Sequence, residues 1–313
     1  MATKIRTYDK LKDFQKVRDF LEDNYSLGTP PLNWCWARWE YMMAHPYIKK
    51  VDDKLNKIGI WEYGNKMVGM VHFEHELGWA YFEQDIKYPQ LKKEMLEYAE
   101  DNLSVAENLP ALSVRQAGGR QGGKKVLHAY ICKNDIKLTK IAKEKRYVIK
   151  PDKNEKVTLM KITPKLLEYS LPRGFKIQTL ADENDLEKIN RVLHRGFDHK
   201  GEPPKSKLAG RKMMQEAPSF RKDLTVVAVA PNGNYVSFCG SWYDSKNKFT
   251  YIEPAATDPD FRKMGLGRAV VLEAIKRNYE LGAKHALVGS AKTFYKKLGF
   301  EDFFERVCWV RSF

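Results

Sequence analysis

Two groups of residues recur along the chain in the same order, about one domain length apart, and this internal repeat constrains the fold more tightly than composition does. Val17, Leu21 and Tyr25 fall on one helical stripe and lead to Gly28 and Pro30-Pro31; Ile189, Leu193 and Phe197 repeat the stripe and lead to Gly201 and Pro203-Pro204. Tyr81-Phe82-Glu83 followed by Pro89 corresponds to Tyr251-Ile252-Glu253 followed by Pro259, each at the end of a β-rich stretch with a helix after it. One such match could arise by chance, but two in the same order imply duplication. A chain of 313 residues has room for two domains with separate cores. Polar stretches at Pro151 to Glu155 and Ser170 to Arg173 bracket the expected junction, giving one domain over 1–165 and a second over 173–313.

Each half reads as strand, helices, β-meander, helix, strand, helix, strand, an α/β (α+β) layer architecture. In the second half, strands are expected at 175–180, 224–230, 235–243 and 249–257, with a turn at Pro231-Asn232-Gly233-Asn234. A helix over Gly267 to Leu281 follows, with Ala269, Leu272, Ile275 and Tyr279 on one face and Gly282 as a left-handed cap. A strand at 285–289, a helix at 291–298 and a last strand at 305–313 complete the expected second domain.

Composition narrows the function classes. No apolar run approaches the roughly 18 residues of a membrane span, and MATKIRTYDK has no apolar segment after its charges, so a cytoplasmic location is expected. Cys35, Cys132, Cys239 and Cys308 are scattered and read as packing residues. A net charge of +15 attracts polyanions, whether nucleic acid, an anionic surface or a phosphate-rich cofactor. The lysines are dispersed, however, which equally describes a solvated basic surface.

The segment from Thr257 to Arg268, TDPDFRKMGLGR, lies between a strand and an amphipathic helix. A helix N-terminus offers unpaired N–H groups and partial positive charge, and glycines at 265 and 267 have no Cβ to hold a pyrophosphate away. Arg262, Lys263 and Arg268 add charge around it. A lone R-x-x-G-x-G also describes a glycine turn before a surface helix, so the flanking motifs decide. Downstream, Tyr295-Lys-Lys-Leu298-Gly299-Phe300 reads Y-x-x-L-G-F; upstream, Glu253 to Pro259 reads E-P-x-x-T-x-P. With RKMGLG between them, the second half resembles the GNAT family of N-acetyltransferases over about residues 173–313. Residues 1–165 share the likeness only through the repeat. They have IKYPQLKKEM, without a glycine, where the phosphate loop belongs.

The resemblance implies two tandem GNAT-like domains, the first degenerate and the second catalytic, each a mixed, mostly antiparallel sheet flanked by helices. It implies that Ala255, Ala256 and Thr257 run along the pantetheine arm of acetyl-CoA, and that Arg262, Lys263, Met264, Gly265, Leu266, Gly267 and Arg268 hold its pyrophosphate. Tyr295 would protonate the departing thiolate. The sequence departs from the family at Val288, where many members have an asparagine. Acetyl transfer to an amine also needs a base or a water chain to remove a proton. Glu253 fits, sharing a strand face with Ala255 and Thr257. It equally fits a structural carboxylate, as Glu83 of the first half suggests, and Tyr295 also suits a core aromatic. The expected partners are acetyl-CoA as co-substrate and a primary amine on a small molecule or peptide, with no metal, membrane or nucleic acid. The chain is expected to be a monomer acting as a pseudo-dimer of its two domains. The competing functions are aminoacyl-tRNA-dependent transfer in the same fold, which the intact RKMGLG loop disfavours, and a non-catalytic CoA- or nucleic-acid-binding module.

Three other signals carry less. Gly118 to Lys125 nearly fits G-x-x-x-x-G-K-[ST], but Lys125 replaces the hydroxyl and the following VLHAYI reads as a strand. His194, Asp198 and His199 lack an evident further partner for a metal. Trp34, Trp36, Trp39 and Tyr41 suit core packing, with an acceptor cleft as the alternative.

Overall fold

A computed structural model describes residues 2–27, 33–107 and 123–313. Gly28, Pro30 and Pro31 of the first repeat, and Gly118 to Gly122 of the phosphate-loop-like run, lie outside the described residues. In chain order the elements are β1 (Lys4–Thr7), α1 (Lys10–Asp23), α2 (Trp36–Ala44), β2 (Gly59–Tyr63), β3 (Lys66–His72), β4 (Trp79–Gln84), α3 (Lys92–Asn102) and β5 (Val105–Ala106). They continue with β6 (Lys125–Cys132), α4 (Ile136–Glu144), β7 (Val148–Ile149), β8 (Glu155–Lys161), β9 (Lys176–Thr179), α5 (Leu186–Gly196), α6 (Leu208–Met214) and β10 (Val226–Val229). The last are β11 (Tyr235–Asp244), β12 (Phe249–Thr257), α7 (Leu266–Glu280), β13 (His285–Val288), α8 (Thr293–Lys296) and β14 (Glu301–Ser312).

The chain forms two compact units that interleave in sequence: Met1–Trp34, Lys49–Glu155 and Phe304–Phe313 make the first, Cys35–Ile48 and Lys156–Phe303 the second. In the first, β1, β2, β3 and β4 form an antiparallel meander, β4 runs parallel to β6, and β14 lies antiparallel on β6. The second repeats this path: β9, β10, β11 and β12 meander, β12 runs parallel to β13, and β8 lies antiparallel on β13. Sequence order places the strand at 305–313 in the second domain. Instead β14 joins the first unit's sheet, where seven of its residues, Arg306 to Ser312, pair with β6 and bury Cys308 and Trp309. The strand before the expected junction, β8, likewise belongs with the second unit from Lys156 onward.

In the second unit a period of two decides which layer each strand residue serves. Val226 and Ala228 of β10 pack with Leu272, Ile275 and Ala286 on the α7 side, while Val227 and Val229 pack with Ile189, Val192 and Leu193 of α5 on the other. Helix α5 starts where the Asp185 carboxylate accepts hydrogen bonds from the N–H groups of Glu187 and Lys188. Helix α7 differs from its expected one-sided form. Leu266, Ala269, Val270, Val271, Leu272, Ala274 and Ile275 are all buried, so the helix has no wide polar face. In its last turn the buried residue is Asn278, which donates to Ser241 Oγ and Ala274 O at 2.8 Å each; Tyr279 is exposed. Gly282 has φ 104°, the left-handed cap expected. Among the described residues no helix is long and apolar enough to cross a membrane.

Candidate active site

Strands β12 and β13 pair only through Phe249–Tyr251 and His285–Leu287. Beyond that point β12 follows β11, with a register shift between Cys239 and Ser241, and a cleft of about 820 Å³ opens. Its walls are Ile252 to Thr257 of β12 (Pro254 excepted), Val288 to Ser290 at the end of β13, the N-terminal end of α7 and the first residues of α8. Glu253, Ala255 and Thr257 are half-buried while Pro254, Ala256 and Asp258 are buried, the alternation of a strand with one face on the cleft. The methyl of Ala256 packs among α5 residues.

The loop from Asp258 to Gly265 is held from beneath. The fully buried Asp258 carboxylate accepts from Arg195 Nε at 2.6 Å and Arg191 Nη1 at 3.1 Å, two arginines one turn apart on α5. Burial alone would raise this carboxyl. Hydrogen bonds from Arg195 and the Asp260 N–H, with the charges of Arg195 and Arg191, outweigh it and hold Asp258 below the usual aspartate range. Arg262 is spent similarly: it donates to Thr257 O at 3.2 Å, Gly196 O at 3.1 Å and Asp198 Oδ1 at 2.9 Å, tying the loop to the end of α5. Lys263 and Met264 are exposed, and the Leu266 side chain points into the core. Arg268 donates to Glu168 O at 3.3 Å.

Gly265 sits at the N-cap of α7 with φ 83°, and a Cβ there would meet nothing within 4 Å. The space beside it is open, and the first N–H groups of α7 have no intrahelical partner. Gly267 is different: its Cβ would stand 2.8 Å from Thr257 Oγ1, so part of its role is to let helix and strand approach. A cradle of free N–H groups, with Lys263 and Arg268 at its rim, fits a pyrophosphate.

Tyr295, on α8, is 8% exposed and packs edge-on against Phe294 and Phe300, with centroids at 5.0 and 5.7 Å. Burial pushes its hydroxyl well above the usual tyrosine range, and Cys239 and Glu253 push it further. The phenol therefore stays protonated at neutral pH. Cys239 is fully buried; burial, and then Glu253, pushes its thiol up. Glu253 backbone oxygen accepts from Trp242 Nε1 at 2.9 Å.

Sequence reasoning missed Asp258 and Phe197. The signal for the first was the i, i+4 pair Arg191 and Arg195 upstream of an aspartate. Phe197, expected on the buried stripe of α5, lies past the helix end, 49% exposed, and lines the cleft. Of the discounted residues, His194 lies within hydrogen-bond distance of Lys200 O and Gly201 O through Nε2 at 3.2 Å, and Asp198 is held by Arg262. Trp34, Trp36 and Trp39 are buried, Trp34 in the first unit and the other two in the second. Trp36 Nε1 donates to Asp244 Oδ2 at 2.9 Å.

The profile of the Acetyltransferase (GNAT) family matches residues 191–300. No curated protein matches the chain in sequence. Among solved structures, it is similar to a tandem GNAT protein from the clavulanic acid biosynthesis pathway, at 10% identity and TM-score 0.62, covering 99% of this chain and 98% of that one. It is also similar to a GCN5-related N-acetyltransferase from Sphaerobacter thermophilus, at 12% identity and TM-score 0.58, covering 99% and 95%. A GNAT-family acetyltransferase from Colwellia psychrerythraea matches at 12% identity and TM-score 0.54, covering 98% of each. At these identities the likeness is one of fold. Motif, profile and topology converge: residues 191–300 match the GNAT family, in a chain with the tandem GNAT fold.

Proposed function

We propose that the second unit is an N-acetyltransferase that moves an acetyl group from acetyl-CoA to a primary amine, and that the first unit is a degenerate copy without a cofactor site. The observation that carries this is the cleft between β12 and β13. It is lined both by an N–H-rich, basic helix terminus and by a protonated buried phenol and a half-buried carboxylate. Acetyl-CoA supplies an activated acetyl thioester. The acceptor nitrogen forms the new C–N bond as the C–S bond breaks; Glu253 takes the amine proton, directly or through water, and Tyr295 Oη gives a proton to the leaving sulfur. Ala255 and Thr257 line the same cleft.

In the first unit, the turn ending at Leu91 runs directly into α3 without a glycine loop. Lys92 of α3 is buried in an ion pair with Asp135. We expect one acetyl-CoA per chain and a monomer in solution. The test is acetyl-CoA-dependent thiol release across a panel of primary amines, alongside the thermal shift given by acetyl-CoA, since a ligand of the native state raises stability by mass action. Lys263→Glu, an exposed charge reversal at the cradle, should weaken acetyl-CoA by about 3- to 10-fold with the ligand-free melting temperature unchanged. An unchanged affinity places the pyrophosphate elsewhere.

A further inference from the structure

Glu253 lines a second, smaller cavity of about 30 Å³ as well as the large cleft, and Phe238 is the other residue common to both. Its walls are mostly apolar, from Ile189, Leu193, Phe220, Phe238 and Trp242. Two charged residues line it: Glu253 and Arg211 of α6.

Among the described residues, Arg211 lacks the carboxylate partner that five other arginines of this unit have. Arg191, Arg195, Arg221, Arg262 and Arg277 each hold a carboxylate at 3.1 Å or less. Arg211 makes one long hydrogen bond, from Nε to Asn190 Oδ1 at 3.3 Å, and among the described residues no carboxylate lies within ion-pair distance. Its Nη1 and Nη2, the planar fork that grips a carboxylate with two parallel N–H bonds, donate to no described residue. Burial pushes the guanidinium below the ordinary arginine value, with Tyr41 partly opposing. Desolvating a cation without a counter-ion costs free energy, which an incoming anion returns.

We propose that this cavity is the acceptor pocket and that the acceptor is a primary amine carrying a free carboxylate, with the amine at Glu253, the carboxylate on the Arg211 fork and an apolar body between them. The proposal rests on the acetyl-transfer reading of the neighbouring cleft. One guanidinium among apolar walls matches a monoanion; a phosphate would need more positive charge and more donors. The zwitterion also balances the pocket, one charge of each sign against one of each. As it stands the cavity admits little more than water. A larger acceptor therefore needs a wall to move, and α6, seven residues with none buried, is the wall the proposal assigns to that movement.

The experiment pairs free amino acids, from glycine and β-alanine to leucine and phenylalanine, with their amides. Acetyl-CoA-dependent thiol release is measured for the wild type, Arg211→Gln and Arg211→Lys, and binding of each compound is measured calorimetrically in the presence of CoA. At least one acid should exceed its amide by about 10- to 100-fold in kcat/KM. Arg211→Gln should abolish that preference, and Arg211→Lys should restore part of it. Acetyl-CoA binding measured alongside reports that each variant is folded. Equal use of acid and amide, a preference that survives Arg211→Gln, or no acid binding at all overturns the carboxylate site. Acid binding that needs Arg211 but yields no thiol upholds the site and removes acetyl transfer instead.

Discussion

Glu83 and Glu253 hold the same place in the two repeats, yet their surroundings differ. Glu83 is 1% exposed and satisfied by protein: His72 Nε2 lies 2.9 Å from one oxygen and the Trp34 N–H donates to the other at 2.6 Å. Glu253 is half-buried and lines two cavities. Glu253→Gln should therefore cost rate, with a defect that shrinks as pH rises and more acceptor amine is already neutral. A loss of thermal stability at every pH without that rescue would make Glu253 structural. Tyr295→Phe keeps the ring between Phe294 and Phe300 and removes only the hydroxyl. Turnover should fall by up to about 10²–10⁴-fold while acetyl-CoA affinity barely changes. Full turnover would mean that water or another group protonates the sulfur. Asp258 gives a prediction on stability. Its folded pKa is depressed, so its contribution is present above the unfolded value of about 3.9 and is lost as pH falls through the folded value. Asp258→Asn should be less stable than wild type at pH 7, and the gap measured by thermal melts should narrow in acid. A constant gap would mean that packing, and not charge, is what the residue supplies.

At the level of elements, the loop before α7 combines two glycines with separable duties. Gly265→Ala places a Cβ in open space but forces φ 83° on an L-residue, a cost of about 1–2 kcal/mol. Gly267→Ala is compatible with the helix but brings Cβ to 2.8 Å from Thr257 Oγ1, so the hydroxyl must turn away or helix and strand must part. Denaturant unfolding of the two variants without ligand should find both destabilised, and only Gly267→Ala should disturb the Ser237–Thr257 hydroxyl contact at 2.8 Å. Strand ends, the loop and the Gly282 cap were legible because each is encoded by neighbours in sequence. The buried face of α7 was less so. A helix whose buried face runs round most of its circumference, with Glu273, Lys276, Arg277 and Glu280 on the narrow remainder, has no single stripe for a 3.6-residue period to find, and Asn278 looks polar until Ser241 is seen opposite it. Arg211 was illegible for the same reason: its distinction is the lack of a carboxylate partner, which only the folded neighbourhood defines.

For the whole molecule, duplication could be read from Tyr81-Phe82-Glu83 and Tyr251-Ile252-Glu253, but the membership of the last strands could not. Both β8 and β14 mix apolar and charged residues as a half-buried strand of either sheet would, and nothing local in them names a partner. One acetyl-CoA per chain in a calorimetric titration is expected, and two equivalent sites would mean that the first unit also binds. The placement of β14 also bears on how the protein is made. On the ribosome β6 leaves early, but the strand that covers its edge emerges only after the whole second repeat. At about 5–20 residues per second the interval between Cys132 and Glu301 is roughly 10–30 s. Through that time the nascent chain carries an open sheet edge able to pair with other strands. A message that stops short of Phe304 would leave that edge open permanently, so nonsense products should aggregate through the first unit, which lacks only its last strand.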